Sequence, residues 1–389
     1  MFTTWRCERF SIGGRDVGVS VFPMSRVDDG FVAEWLDLEA RASEGNAFLS
    51  PHFVLPALQH LEPRKRLVLL GIFRNDGASD RLIGLGAFIA RPPKPQFPLP
   101  HLEAYRSPHT FLTGMLLDRD HQWLAVAGLG AYLSSARVPW CGIGFSDRLA
   151  DSALDQIYQD ESVTSMVRWS EYYRHRRAIL VPSTASQIYD SVFVNGDFGK
   201  ELRRKRRRLE QLGTVESRFL LGKDVTNDTI ETFLRLENMG WKNEKGFSLL
   251  SQPEQGEFFR DMTRRFAADG RAFFCELLVN GCVISSTSNF ISGRIGYAFK
   301  IGWDPEFSAC SPGLLNELEL MCWAGERLSG IDYIDSCAAE DSYLRQLWPN
   351  EISITTGILV AGSVGRAILP ALTAARGVKR VISSRLASF

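Results

Sequence analysis

Residues 295–348 place the tightest constraint on what this chain can fold into. An apolar strand pattern leads to a helix entrance, a long helix pattern, a second short strand ending in Asp335, and then Tyr343. The run Gly296-Tyr297-Ala298-Phe299-Lys300-Ile301-Gly302-Trp303 reads as half-buried strand and turn. Ser311-Pro312-Gly313 has the chemistry of a helix start, with a capping hydroxyl, Pro at the first helical position and then a residue without Cβ. The first amides of a helix have no internal partner and carry the positive end of its dipole. This entrance is therefore either an ordinary capped helix or a cradle for a pyrophosphate, with Gly313 allowing close approach. Lys300 sits in an otherwise apolar stretch, where an unpaired ammonium is costly, so it is expected to meet an anion, either a ligand phosphate or a protein carboxylate.

The rest of the chain reads as α/β with mixed strands and helices. Helical spacing of Phe31, Trp35, Leu38 and Ala42 predicts a helix over 31–42, and another follows Ser50-Pro51. Strands are predicted at 67–73 and 82–89 around the Asn75-Asp76-Gly77 turn, then at 110–117 and 138–145 with a helix near 121–136 between them. After residue 215 the expected elements are helices 226–239 and 253–269, strands 272–280, 282–291 and 294–301, helix 312–328, strand 331–335 and helix 340–347. With 389 residues, 45% of them apolar, the chain can bury a large core and divide into about two domains. The expected divisions are 1–180, 181–355 and a basic amphipathic tail, 356–389.

Four segments carry a family resemblance. They are Asn46-Ala47-Phe48-Leu49-Ser50-Pro51, the basic helix Arg203 to Leu209, Glu237-Asn238-Met239-Gly240-Trp241-Lys242, and Tyr297 to Gly313. In that order they resemble the BioF2-like or CelD-like acetyltransferase-type domain, related to the FemAB group of the GNAT superfamily, over most of residues 20–350. The resemblance implies two GNAT-like halves, each a mixed sheet flanked by helices, and acyl transfer from acetyl-CoA or a longer acyl-CoA without a metal. Direct attack of an amine on a thioester needs a base, a polarised carbonyl and a proton for the departing thiolate. Tyr343 is the expected acid, against the alternative of a partly buried aromatic with a satisfied hydroxyl. Glu237 is the expected base, one helical turn from an aromatic wall at Trp241, with Asp335 as the second choice, and Trp241, Lys242 and Arg345 are expected at the acceptor; either carboxylate also suits an ordinary ion pair. Lys300, Ser311 and Gly313 are expected at the CoA, Lys300 matching the Lys of the family's strand-end element. Arg345 and Trp348 fall near the family's Tyr-Lys-x-x-Trp ending, but Tyr343 here lies five residues before Trp348 rather than four.

The loudest compositional signal is Lys200 to Glu210, in which Leu202, Leu209 and Leu212 allow one packed side. Arg203, Arg204 and Arg207, with Arg208, then form either a solvated face or a cationic wall for phosphates or an anionic substrate. A nuclear-targeting or RNA role is the third reading. Lys plus Arg equals Asp plus Glu, 45 each, which argues against a dedicated DNA or RNA binder. Seven scattered cysteines without a Cys-x-x-Cys pair read as small buried side chains in a reducing compartment. None of the six histidines has Asp four or five residues later, and there is no Gly-x-Ser-x-Gly elbow, P-loop or Gly-x-Gly-x-x-Gly. No window approaches a membrane span and the N-terminus lacks a leader's apolar core, so the expected location is cytoplasmic. Val378, Val381, Ile382 and Leu386 can share a helix face, packed on the domain or resting on the inner face of a membrane. The function expected is N-acyl transfer to an amine of a sugar nucleotide, polysaccharide precursor or lipid. The rivals are a FemAB-like transferase using aminoacyl-tRNA, and a non-catalytic binding protein of a polysaccharide assembly system.

Overall fold

Val17, Val19 and Val21 recur at every second position and bury one face of a strand, and this period-two pattern builds the strands of the first unit. The structure is a computed structural model that describes residues 7–75, 77, 80–94, 97–158, 163, 167–363, 365 and 367–369. It contains two compact units. The first comprises Met1–Leu49, Arg66–His175 and Ser353–Phe389, and the second Ser50–Lys65 and Arg176–Ile352.

In the first unit β1 (Glu8–Ile12), β2 (Arg15–Pro23), β3 (Val68–Asn75), β4 (Asp80–Arg91) and β5 (His101–Ala104) pair antiparallel in sequence order, and β6 (Leu116–Leu117) pairs with β4. β7 (Gly142–Leu149) then lies parallel to β5, and β14 (Asn350–Ala361) pairs antiparallel with β7. Helix α1 spans Asp29–Ala40, and α2 (Gln122–Ser134) supplies the crossover before β7. Gly128, from one of the two Gly-Leu-Gly triplets, serves packing: a Cβ there would lie 2.7 Å from Val17 Cγ1.

In the second unit the order is β8, β13 (Tyr333–Asp335), β12 (Ile295–Trp303), β11 (Cys282–Ser292), β10 (Ala272–Val279) and β9 (Val215–Leu221). β8 covers Val167–Leu180, and its part from Arg176 belongs here. Only β12 and β13 are parallel within this order. The helices are α3 (Asp197–Glu210), α4 (Asn227–Glu237), α5 (Pro253–Ala268) and α6 (Pro312–Arg327). β10 is buried on both faces: Phe273, Cys275, Leu277 and Val279 join the cluster formed with Leu315, Leu318 and Met321 of α6, while Phe274 packs edge-on against Phe233 of α4. Phe259 of α5 stacks on Phe233, with ring centroids 5.0 Å apart. The short helix Pro51–Pro56 follows the N-cap Ser50, and Phe53 meets Phe258 of α5 at 5.4 Å.

The α/β class holds, and both units share the order of an antiparallel meander, a crossover helix and a parallel strand. Several expected elements differ. Of the strand expected at 110–117 only Leu116–Leu117 pairs, because Thr113 and its neighbours form loop contacts instead, Thr113 N donating to the Asp147 carbonyl. The expected helix at 340–347 is a four-residue 3₁₀ turn, Tyr343–Gln346, started by the Ser342 hydroxyl. Leu212 lies past the end of α3 and is exposed, so it does not extend the packed face. The cysteines are not uniformly buried: Cys275, Cys310 and Cys337 are, while Cys7, Cys282 and Cys322 are exposed. Val378, Val381, Ile382 and Leu386 lie outside the described residues. Among the described residues no helix is long and apolar enough to cross a membrane.

Candidate active site

β12 and β13 stay in parallel register for only three residues, ending at Tyr297 opposite Asp335. β12 continues to Trp303 with β11 as its strand partner, and a bulge places Phe299 between the pairs Asn289–Ala298 and Ser288–Lys300. The two parallel strands therefore part, and α6 begins beside the part of β12 that has left β13. A Cβ on Gly313 would lie 3.3 Å from Ile301 Cδ1 and 3.4 Å from Trp303 Cδ1, so the glycine lets the first turn of α6 rest on β12.

The entrance to α6 differs from the expected hydroxyl cap. Ser311 is left-handed, with φ 50° and ψ 60°, and its side chain makes no cap. A preceding 3₁₀ turn, Pro305–Cys310, forces the sharp change of direction. Ser311 Oγ instead accepts from Lys205 Nζ of α3 at 2.9 Å. An ammonium thus stands at the positive end of α6, where both favour an anion. Sequence reasoning passed over Lys205, although it belongs to the basic run; its half-buried position on α3 marks it off from exposed Arg204, Arg207 and Arg208.

Glu237, the last residue of α4, is buried and faces a cavity of about 310 Å³ lined also by Leu236, Met239, Ile301, Gly302 and Trp303. Only glycine fits at 302, because a Cβ there would lie 2.5 Å from the Glu237 backbone nitrogen. Glu237 Oε2 accepts from Leu249 N at 2.8 Å, and Oε1 lies 3.9 Å from Lys300 Nζ. Lys300 has therefore met a protein carboxylate. The aromatic wall of this cavity is Trp303, while the side chains of Trp241 and Lys242 lie outside the described part of the structure.

Asp335 is fully buried and fully engaged: Oδ2 accepts from Arg177 Nη1 at 3.0 Å and Oδ1 from Cys337 N at 2.8 Å. Both oxygens are thus committed to the strand end, so Asp335 serves structure. Tyr343 is 43% exposed, yet desolvation of its hydroxyl and the nearby Glu317 carboxyl drive its pKa well above the ordinary value, so it remains a donor. Glu317, on the second turn of α6, is 3% exposed, and burial pushes its carboxyl up to about 8. Its sequence signal is a carboxylate whose neighbours three and four residues away, Gly313, Leu314, Leu320 and Met321, are all non-polar.

The remaining expected residues are not gathered at one place. Arg203 donates to the carbonyls of Phe193 and Val194, the latter at 2.7 Å, and so closes the end of the preceding π-turn. Arg204 is exposed, as is Arg207, whose Nε donates to the Arg203 carbonyl at 3.4 Å. Arg345 donates to the Glu340 carbonyl at 3.1 Å and pairs with Glu351.

A sheet whose parallel strands part beside a helix entrance is a GNAT-like arrangement. Residues 196–345 match the family described as acetyltransferase (GNAT) domain. The fold is similar to that of FemX, with TM-score 0.53 at 12% identity over 84% of this chain and 95% of that one. It is also similar to the C-terminal DUF2156 domain of a putative lysylphosphatidylglycerol synthetase from Agrobacterium fabrum, with TM-score 0.50 at 9% identity over 88% of this chain and 95% of that one. No curated protein matches the chain in sequence. Residues 196–345 are thus similar to an acetyltransferase domain of GNAT type, within a chain whose fold is that of these structures.

Proposed function

We propose that this protein transfers an acyl group from acetyl-CoA or a longer acyl-CoA to the amine of a sugar nucleotide, polysaccharide precursor or lipid. The observation that carries the reading is Lys205 at the entrance of α6, 2.9 Å from Ser311 Oγ and paired with Glu201 at 2.9 Å, where the first amides of a helix and an ammonium suit the CoA pyrophosphate. The acyl-bearing arm would follow the edge of β12 beyond Tyr297, where β13 has ended. The thioester carbonyl would then lie between Tyr343 and the Glu237 cavity. Glu237 is the proposed base, taking the amine proton through water because both its oxygens already have partners. Lys300 would hold Glu237 in place, and Asp335 would support the strand end. Arg204 and Arg207, exposed on α3, with Arg203 and Arg345 tied to backbone carbonyls, suit a rim for an anionic acceptor more than a catalytic wall. Trp241 and Lys242 remain proposed acceptor contacts.

Titration calorimetry with acetyl-CoA, a long-chain acyl-CoA and free CoA tests the reading. Wild type is expected to bind, Lys205→Ala about 10-fold more weakly, and Gly313→Glu not measurably, because the new carboxylate crowds Ile301 and repels phosphate. A folded wild-type protein that binds no CoA species would overturn the proposal. The exposed arginines of α3 also favour a second reading, an aminoacyl-tRNA-dependent transferase, which RNA retained through purification at low salt would support.

A further inference from the structure

Glu237 and Asn238 are neighbours at the end of α4, and both side chains reach the same returning loop. Glu237 Oε2 accepts from Leu249 N at 2.8 Å, and Asn238 Oδ1 accepts from the Ser248 hydroxyl at 2.6 Å. Two consecutive residues of the helix end thus hold two consecutive residues of the loop. Ser248 is wholly buried, and its one hydroxyl proton is spent on Asn238, so the Ser251 hydroxyl is the donor in its 2.7 Å contact with Ser248. Ser251 N also donates to the Ser248 carbonyl at 3.0 Å, which turns the loop back on itself around Leu249. Leu249 is buried while Phe247 and Leu250 are exposed, so apolar packing grips this loop at Leu249 and the hydroxyls fix its register.

The main chain at Glu237 has little freedom of its own. It passes so close to Gly302 of β12 that a Cβ there would lie 2.5 Å from the Glu237 nitrogen. The carboxylate stands at the end of a flexible side chain, and its partners select among the rotamers. The Leu249 amide takes Oε2 and leaves Oε1 as the oxygen beside Lys300, 3.9 Å from Nζ. A loop that drifted would release Oε2 and let the carboxylate turn from the cavity.

We propose that Ser248 is a positioning residue for the base: bound to Asn238, it holds the Leu249 amide on Glu237 Oε2 and so fixes the oxygen presented to the bridging water. The role rests on the acyl-transfer reading above, in which Glu237 is the base. Ser248 does not line the cavity, so its effect passes through Glu237. A carboxylate already in place gives up no rotameric freedom when the proton moves.

Two measurements on the full chain test this. The first is the carboxyl resonance of Glu237 in protein carrying isotope-labelled glutamate, identified by its loss in Glu237→Gln. It is expected to move in Ser248→Ala and in Asn238→Ala, which cut one hydrogen bond from its two ends. It should stay near the wild-type position in Asn238→Asp, which keeps the accepting oxygen. The second is acetyl transfer from acetyl-CoA to glucosamine as the probe amine. S248A and N238A are expected to lower kcat by about 10-fold or more with KM for acetyl-CoA unchanged. The double variant S248A/E237Q should be no slower than E237Q, because the serine acts through the carboxylate. A resonance unmoved in S248A, or a double variant slower than E237Q by the full factor seen in S248A, would overturn the positioning role alone. E237Q as active as wild type would remove the base and the role of Ser248 with it. If S248A fails to fold, N238A carries the same test; if wild type leaves glucosamine unacylated, the resonance decides.

Discussion

Replacing Arg177 with alanine is expected to destabilise the second unit by about 3–5 kcal/mol, the cost of leaving a buried carboxylate without its cation. Asp335 is wholly inaccessible and Arg177 is 4% exposed, so water cannot replace the lost guanidinium. The pair also ties the last residue of β13 to the neighbouring strand β8, where Ile179 stands opposite Asp335. Loosening it frays the strand end from which the parallel sheet parts. Urea unfolding of R177A beside wild type measures the effect. The double variant Arg177→Met with Asp335→Asn should regain much of the loss, because it removes the stranded charge as well as its partner. A loss in R177A below about 1 kcal/mol would mean that the pair is dispensable.

Tyr343→Phe is expected to lower kcat by about 100-fold or more, the lower range for a positioned general acid, with KM for the acyl-CoA nearly unchanged. The tyrosine opens a 3₁₀ turn and is 43% exposed, so removing one oxygen leaves the packing intact. Its hydroxyl stays protonated across the physiological range, since burial and Glu317 both resist ionisation. Single-turnover measurement of CoA release separates the chemical step from product release. A Y343F protein with wild-type single-turnover rate would exclude the acid role and leave a packing tyrosine.

The strand–helix–strand passage from Ile295 to Asp335 was legible because each boundary carries its own chemistry: apolar runs for β12, Pro312 and Gly313 at the entrance of α6, and a short apolar strand before Asp335. The capping role of Ser311 was misread because backbone hand is not written in residue type, and a left-handed serine turns its hydroxyl toward Lys205 instead of the helix amides. β8 escaped notice because Arg168, Glu171, Arg174 and Arg176 crowd it with charge and its middle is exposed, which erases the alternation of a half-buried strand. Arg203 looked like part of a cationic wall, but its carbonyl partners arise from a π-turn that no spacing rule announces. Glu317 had a readable signal, a carboxylate on the apolar stripe of α6, but whether such a carboxyl is buried depends on the tertiary packing around it and not on its spacing.

The chain order of the two units has a consequence for biosynthesis. Ser50–Lys65 is made before Arg66–His175 but belongs with Arg176–Ile352, and Ser353 onward is made after that segment but belongs with the first unit. Phe53 meets Phe258, 205 residues further along the chain, and β14 reaches β7 only after residues 196–345 have emerged. Neither core can close while the ribosome is still adding residues before 353, so folding is largely post-translational and its contact order is high. Until that strand arrives, β7 lacks the partner it holds from Gly142 to Leu149, and an unpaired strand edge is a template for wrong pairing.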